Sequence, residues 1–233
     1  MPQAWAAVIV AAGRGQRFGG PKQFVPIAGL PMAGWSIRTF AAVEGVVDLI
    51  VVTEPEWIER MGDLIARIAP QTASAVVAGG ATRQESVRSG VQAVPQRCDG
   101  VFVHDGARPL VRGDDVRAAM RVVSDGCAAL LAAPVVDTIK CVDPANREVI
   151  ETLDRHGLWA AQTPQFATTA DMARAHERAR RDGIEATDDA ALLERAGIVV
   201  RAIEASSENF KVTHPHDVAR AETMLLARLA ETA

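Results

Sequence analysis

The residues with the most chemical content lie directly after the first apolar run. Ala11-Ala-Gly-Arg-Gly-Gln-Arg-Phe-Gly-Gly-Pro-Lys-Gln23 mixes glycines with Arg14, Arg17 and Lys22. Glycine lets a backbone approach a ligand closely, and turned amides form a concave nest for phosphate oxygens. Two familiar phosphate loops do not fit. A dinucleotide fingerprint needs a glycine three places after Gly15, where Phe18 stands. P-loop spacing from Gly15 to Gly20 puts Pro21 ahead of Lys22, and Gln23 where Ser or Thr belongs. A glycine-rich loop that holds Arg14, Arg17 and Lys22 and ends in Pro-Lys suits a triphosphate, with Ala11, Ala12, Gly13 and Gly15 offering backbone and the cations offering charge. Read without context, the same stretch is a surface turn with solvated cations.

A second candidate is Asp105, which ends the run Val101–His104. A carboxylate there can orient a magnesium ion bridging phosphate oxygens, or contact substrate, or simply cap a turn. Arg108, three residues on, is its expected partner. His104 reads as packed or hydrogen-bonded rather than catalytic. The three cysteines, Cys98, Cys127 and Cys141, are too scattered for a redox pair or a zinc knuckle, and the histidines show no ligand spacing.

Elements that position these residues follow from periodicity. Short apolar runs at Ala7–Val10, Leu49–Thr53, Ala75–Ala78, Val101–His104, Ala129–Ala132 and Ile198–Ile203 read as strands. Between and after them, Met32–Val43, Glu56–Ile68, Arg83–Val94, Asp114–Ser124, Thr169–Asp182 and Asp217–Leu229 carry helical spacing. Such alternation predicts a Rossmann-like α/β fold: a mostly parallel sheet with helices on both faces. Ligands bind beyond the carboxyl ends of such strands, where Gly13, Gly79-Gly80 and Asp105 all fall. From about 135 to 159 the rhythm changes to polar–apolar alternation around Pro144-Ala-Asn146, which predicts a projecting β-hairpin arm and, through it, a homodimer. With no repeats or linkers, residues 1–233 are expected to form a single domain.

Composition excludes some partners. A net charge of −4, without runs of Lys or Arg, argues against bulk attraction to nucleic acid or an anionic membrane. The apolar stretches at Ala6–Ala12 and Cys127–Val136 are too short to span a bilayer, and the start lacks a basic leader, so a cytoplasmic location is expected.

The first loop resembles the signature loop of the sugar-phosphate nucleotidyltransferases. Further stretches narrow the resemblance: Gly79-Gly-Ala-Thr-Arg-Gln-Glu-Ser86, His104-Asp-Gly-Ala-Arg-Pro109, Asp137-Thr-Ile-Lys140, Asp154-Arg-His-Gly-Leu-Trp159, Thr163-Pro-Gln-Phe166, Thr187-Asp-Asp189 and Asn209-Phe-Lys-Val-Thr213. In this order, from residue 7 to about 220, they are similar to the 2-C-methyl-D-erythritol 4-phosphate cytidylyltransferase family. That resemblance implies attack of a small phosphorylated polyol on the α-phosphorus of CTP, release of pyrophosphate and a Mg²⁺ cofactor. It gives Arg17 and Lys22 the stabilisation of the transition state, and Arg155 and Lys211 the positioning of the acceptor's phosphate. Gly79, Gly80 and Ser86 match nucleobase and ribose positions; Asp105, Arg108, Thr163 and Thr187 match acceptor contacts. Arg155, in the arm, is expected to reach the partner subunit's site. Alternatives are a pentitol-phosphate cytidylyltransferase, disfavoured by Ala107, and a silent nucleotide-binding relative, disfavoured by the presence of Arg17, Lys22 and Lys211. An NAD-dependent enzyme is disfavoured by the Pro21-Lys22 ending.

Overall fold

In a computed structural model that describes residues 1–13 and 18–231, the elements run as follows. Strand β1 (Trp5–Val10) leads to two tiny strands, β2 (Pro26–Ile27) and β3 (Leu30–Pro31), and then to α1 (Met32–Ala41). Next come β4 (Val46–Thr53), α2 (Ile58–Ile68), β5 (Ala73–Ala78), α3 (Arg83–Gln92), β6 (Gly100–Asp105), α4 (Gly113–Met120) and β7 (Cys127–Pro134). A hairpin of β8 (Lys140–Val142) and β9 (Val149–Thr152) precedes the long β10 (Trp159–Thr168). The chain continues through α5 (Thr169–Arg181), α6 (Asp189–Arg195), β11 (Val199–Glu204) and α7 (Pro215–Glu231).

Seven strands form one sheet in the order β11-β7-β10-β6-β1-β4-β5. β1 runs parallel to β4 and β6, β4 to β5, and β11 to β7, whereas β10 is antiparallel to both its neighbours. Alternate side chains of β1 feed opposite layers, as strand geometry requires. Trp5, Ala7 and Ile9 join Phe40 of α1, Ile65 of α2 and Val116 of α4 on one face. Ala6 and Val8 join Val87 of α3, Met172 of α5 and Leu193 of α6 on the other. A smaller cluster ties α7 to the first-loop region through Ile27, Met32, Trp35, Val212 and Leu225.

The expected parallel sheet and projecting hairpin are both present, and the differences have local causes. Sequence pattern ends the arm at Trp159, yet Trp159–Thr168 is an interior strand of the main sheet. Pro164 and the polar Gln162, Thr163 and Gln165 mask it, and the register breaks between Ala161 and Gln165 to accommodate them. Thr163 is a buried residue of this strand. α6, only seven residues long, shows no clear periodicity; its N-cap is Asp188, whose side chain accepts from Ala191 N–H, and not Thr187. At the start of α7, Asp217 accepts from the backbone N–H groups of Thr213 and His214, so Thr213 is held by the cap and does not supply it. Trp159, at the start of β10, is 40% exposed in the single chain.

Candidate active site

The carboxyl ends of β1, β4, β5 and β6 surround a cavity of about 530 Å³, within the range of small-molecule sites. Its walls are Ala11, Ala12 and Gly13 after β1, Glu54 and Pro55 after β4, Gly79 to Arg83 and Ser86 after β5, and Asp105 to Ala107 after β6. Lys22 and Lys211 complete it. Nine of the expected site residues thus meet here: Ala11, Ala12, Gly13, Lys22, Gly79, Gly80, Ser86, Asp105 and Lys211. Gly15 and Arg17 lie outside the described residues.

The β5–α3 corner is made by sequence chemistry. Thr82 caps α3 by accepting from Glu85 N–H, while the Glu85 carboxylate accepts from the Ala81 and Thr82 amides, closing a capping box. Ser86 Oγ accepts from Gly80 N–H at 3.1 Å and donates to Thr82 C=O at 2.9 Å, so its hydroxyl fixes the glycine turn. A Cβ on Gly79 would stand 2.5 Å from Ala12 Cβ and 2.8 Å from Ser86 Oγ. The first loop and α3 approach each other so closely only because that position has no side chain.

On the opposite wall the two lysines converge. Lys22 Nζ donates to Val212 C=O at 3.3 Å, one residue past Lys211, and Lys211 Nζ lies 2.7 Å from Asp105 Oδ2. The segment bearing Lys211 is pinned by Val212 N–H to Ala107 C=O at 2.8 Å and by Asn209 Nδ2 to Gln162 Oε1 and Thr163 C=O, each at 2.9 Å. Asp105 also accepts from Arg83 Nε at 3.0 Å. Burial alone would raise this carboxyl, but Arg83 and Lys211 outweigh it and hold Asp105 well below the usual carboxylate range.

Arg108, the partner expected for Asp105, comes only within 4.0 Å of it, and its Nη1 donates to Asn209 C=O at 2.7 Å. Burial lowers the Arg108 guanidinium from its ordinary value. Thr163 stands behind the wall: Asp105 N–H donates to its hydroxyl at 3.0 Å, and that hydroxyl donates to His104 Nδ1 at 3.1 Å. His104 Nε2 then faces Arg108 C=O and Ser36 Oγ, each at 3.1 Å; a carbonyl only accepts, which assigns the proton to Nε2. Burial pushes this imidazole down to about 3, so it is neutral. Thr187 is exposed beside the start of α6, and Arg155 is exposed in the arm, where it donates to Val136 C=O. Neither lines the cavity of its own chain.

Reading the sequence missed Arg83, which lines the cavity and bridges Asp105 to Asp189 at 2.9 Å. Burial lowers its guanidinium, but Asp189 and Asp105 together raise it, so the charge is permanent. Its only signal was the motif Thr82-Arg-Gln itself.

Among the described residues no cluster of three or more His, Cys, Asp or Glu side chains could hold a metal. Two carboxylates line the cavity, Glu54 and Asp105, and such a wall suits magnesium, which takes one or two carboxylates and completes its octahedron with phosphates and water. It does not suit a metal caged by protein alone. No helix among the described residues is long and apolar enough to cross a membrane.

Comparison with known proteins agrees with this geometry. The chain is 39% identical over 224 residues to a Halalkalibacterium halodurans protein named 2-C-methyl-D-erythritol 4-phosphate cytidylyltransferase, covering 95% of this chain and 96% of that one. A crystal structure of the enzyme of that name from Thermus thermophilus superposes with a TM-score of 0.73 at 33% identity, over 94% and 97% of the two chains. A 4-diphosphocytidyl-2C-methyl-D-erythritol synthase from Anaerococcus prevotii shares the fold, with a TM-score of 0.83 at 24% identity over 96% of each chain. The family model for 2-C-methyl-D-erythritol 4-phosphate cytidylyltransferase matches residues 5–227, and with the cavity, its two lysines and its glycine corner in place, the chain belongs to that family.

Proposed function

We propose that this chain transfers a cytidylyl group from CTP to 2-C-methyl-D-erythritol 4-phosphate. The products are 4-diphosphocytidyl-2-C-methyl-D-erythritol and pyrophosphate, an intermediate and by-product of isoprenoid precursor synthesis. The observation that carries the reading is the cavity in which Lys22, Lys211, Arg83 and Asp105 come together with the glycine corner Gly79-Gly80. The acceptor phosphate is already a nucleophile, so the task is to bring two anions together and hold the charge of an in-line displacement. In this reading the Gly79-Gly80 backbone takes the nucleobase, Lys22 and Arg17 take the phosphates of CTP, and Lys211 takes the acceptor phosphate. Lys211 begins paired to Asp105, so an arriving phosphate shares an amine already aimed and partly desolvated. Asp105 is the residue we infer holds Mg²⁺ with the triphosphate; the ion when bound would neutralise phosphate charge. Purified protein given CTP, MgCl₂ and 2-C-methyl-D-erythritol 4-phosphate is expected to form product and pyrophosphate in equal amounts. Absence of product, or faster use of ribitol 5-phosphate, overturns the reading.

We further propose a homodimer joined through the arm, with Arg155 completing the partner subunit's acceptor site. The support is the arm's composition: Val136, Val149 and Ile150 are 77%, 59% and 66% exposed in the single chain. An isolated two-stranded hairpin is marginal in water, and a contiguous exposed apolar patch marks an interaction surface. Ile150→Asp is expected to convert a dimer into single 24.8 kDa chains in sedimentation, with turnover lost in parallel. A variant that sediments as the wild type, or a monomeric one at full turnover, contradicts the arrangement.

A further inference from the structure

A chain of buried polar contacts runs from the cavity wall to the far side of α3, and the mechanism above does not use it. Arg83 Nε binds Asp105 Oδ1 at 3.0 Å and its Nη2 binds Asp189 Oδ2 at 2.9 Å. Asp189 and His176 are each 1% exposed, and Asp189 Oδ1 lies 3.0 Å from His176 Nε2. The neighbouring Gln84 turns the other way: its Nε2 donates to Ile184 C=O at 2.9 Å, and its Oε1 accepts from Ala186 N–H at 3.0 Å. Gln165 closes the clamp, donating to Asp188 Oδ2 at 2.9 Å and accepting from Ala190 N–H at 2.8 Å. The whole segment from Ile184 to Ala190, which carries Thr187, is therefore fastened to the first turn of α3 and to β10.

Resting on the transferase reading, we propose that Arg83 and Gln84 are positioning residues which set the acceptor side of the site from the same helical turn that lines the nucleotide side. Arg83 holds the Asp105 carboxylate in one rotamer and ties it to Asp189. Gln84 holds the backbone on which Thr187 stands. A planar guanidinium spans two carboxylates at once with fixed geometry, and an ammonium does not. Asp189 is almost fully buried, so its charge is tolerated only because Arg83 and His176 satisfy it. Misplacement of a substrate group by an ångström costs orders of magnitude in rate, which gives such a support its leverage.

The test compares wild type with Arg83→Lys and Gln84→Ala. Steady-state rates are measured with each substrate varied, CTP affinity is titrated without acceptor, and the folded fraction is fixed by thermal unfolding. Loss of a charged hydrogen bond corresponds to roughly ten- to hundredfold, and of each neutral one to about two- to tenfold, so that the two made by Gln84 come to at least about fivefold. Arg83→Lys is expected to raise the acceptor KM and lower kcat/KM for acceptor by the larger factor, and Gln84→Ala by the smaller. CTP affinity should stay within about threefold of wild type. Gln84 is only half-buried and outside the cavity, so its variant reads out positioning even if Arg83→Lys folds poorly. An acceptor KM unchanged in both variants, or a loss confined to CTP affinity as for a direct phosphate contact, overturns the proposal. Failure of the transferase reading looks different, because then the wild-type protein itself forms no product.

Discussion

Lys211→Ala is expected to lower kcat/KM for the acceptor by roughly 10²–10³, the typical cost of losing one preorganised charge-stabilising group. The amine sits 2.7 Å from Asp105, on a segment fixed by Val212 and Asn209, so its position is set before any substrate arrives. Removal has two consequences. The acceptor phosphate loses a cation, and Asp105 loses one of the three cations, Arg83, Lys211 and Arg108, that hold it ionised. Lys22→Ala is expected to fall in the same range, because Lys22 converges on the same wall through Val212. Lys211→Arg keeps the charge but not the reach, and should recover part of the rate. Rates normalised to folded protein decide the matter: near-normal turnover in either alanine variant removes that lysine from the mechanism.

The second large effect concerns acid stability. His104 is fully buried and neutral, its imidazole pushed from 6.5 to about 3 by burial. Between those values an unfolded chain binds a proton at this site that the folded chain refuses. Stability therefore rises with pH across this window, is complete above about 6.5, and is lost as pH falls toward 3, a few kcal/mol in all. Asp105 acts in the same direction at lower pH: its depressed carboxyl stabilises the fold above 3.8 and stops doing so as acid protonates it. Urea unfolding at pH 7 and pH 5 is expected to give a marked loss for wild type. His104→Asn, less stable at pH 7, should show a much flatter change. An equal pH slope in the two proteins would place the titration elsewhere.

Much of this architecture is legible from local patterns, for identifiable reasons. β1, β4 and β6 are apolar runs bounded by glycine or charge, and α3 opens with a capping box. Each is decided within a few neighbouring residues. β10 is not, because Pro164 and three polar side chains contradict strand chemistry, and only pairing with β6 and β7 overrides them. The first loop could be read as a phosphate site from residue type alone, whereas the glycine corner owed its assignment to nucleobase and ribose to family resemblance. The roles of Lys211, Arg155 and Thr187 came from family resemblance, since a lone surface-type residue carries no signature. Beyond its short motif Arg83 had no readable signal, for a physical reason: its partners Asp105 and Asp189 lie 22 and 106 residues away, and only the fold brings the three together. For the same reason the neutral tautomer of His104 depends on Ser36, Arg108 and Thr163, none of them adjacent in sequence.

The most direct check is a crystal structure of the protein with CTP and magnesium. The expected density has cytosine against the Gly79–Ser86 corner and the α-phosphorus open on the side of Lys211 and Asp105, with Lys22 on the phosphate chain. A nucleotide bound outside this cavity, or one whose α-phosphorus faces away from Lys211, would contradict the assignment of these residues to cytidylyl transfer.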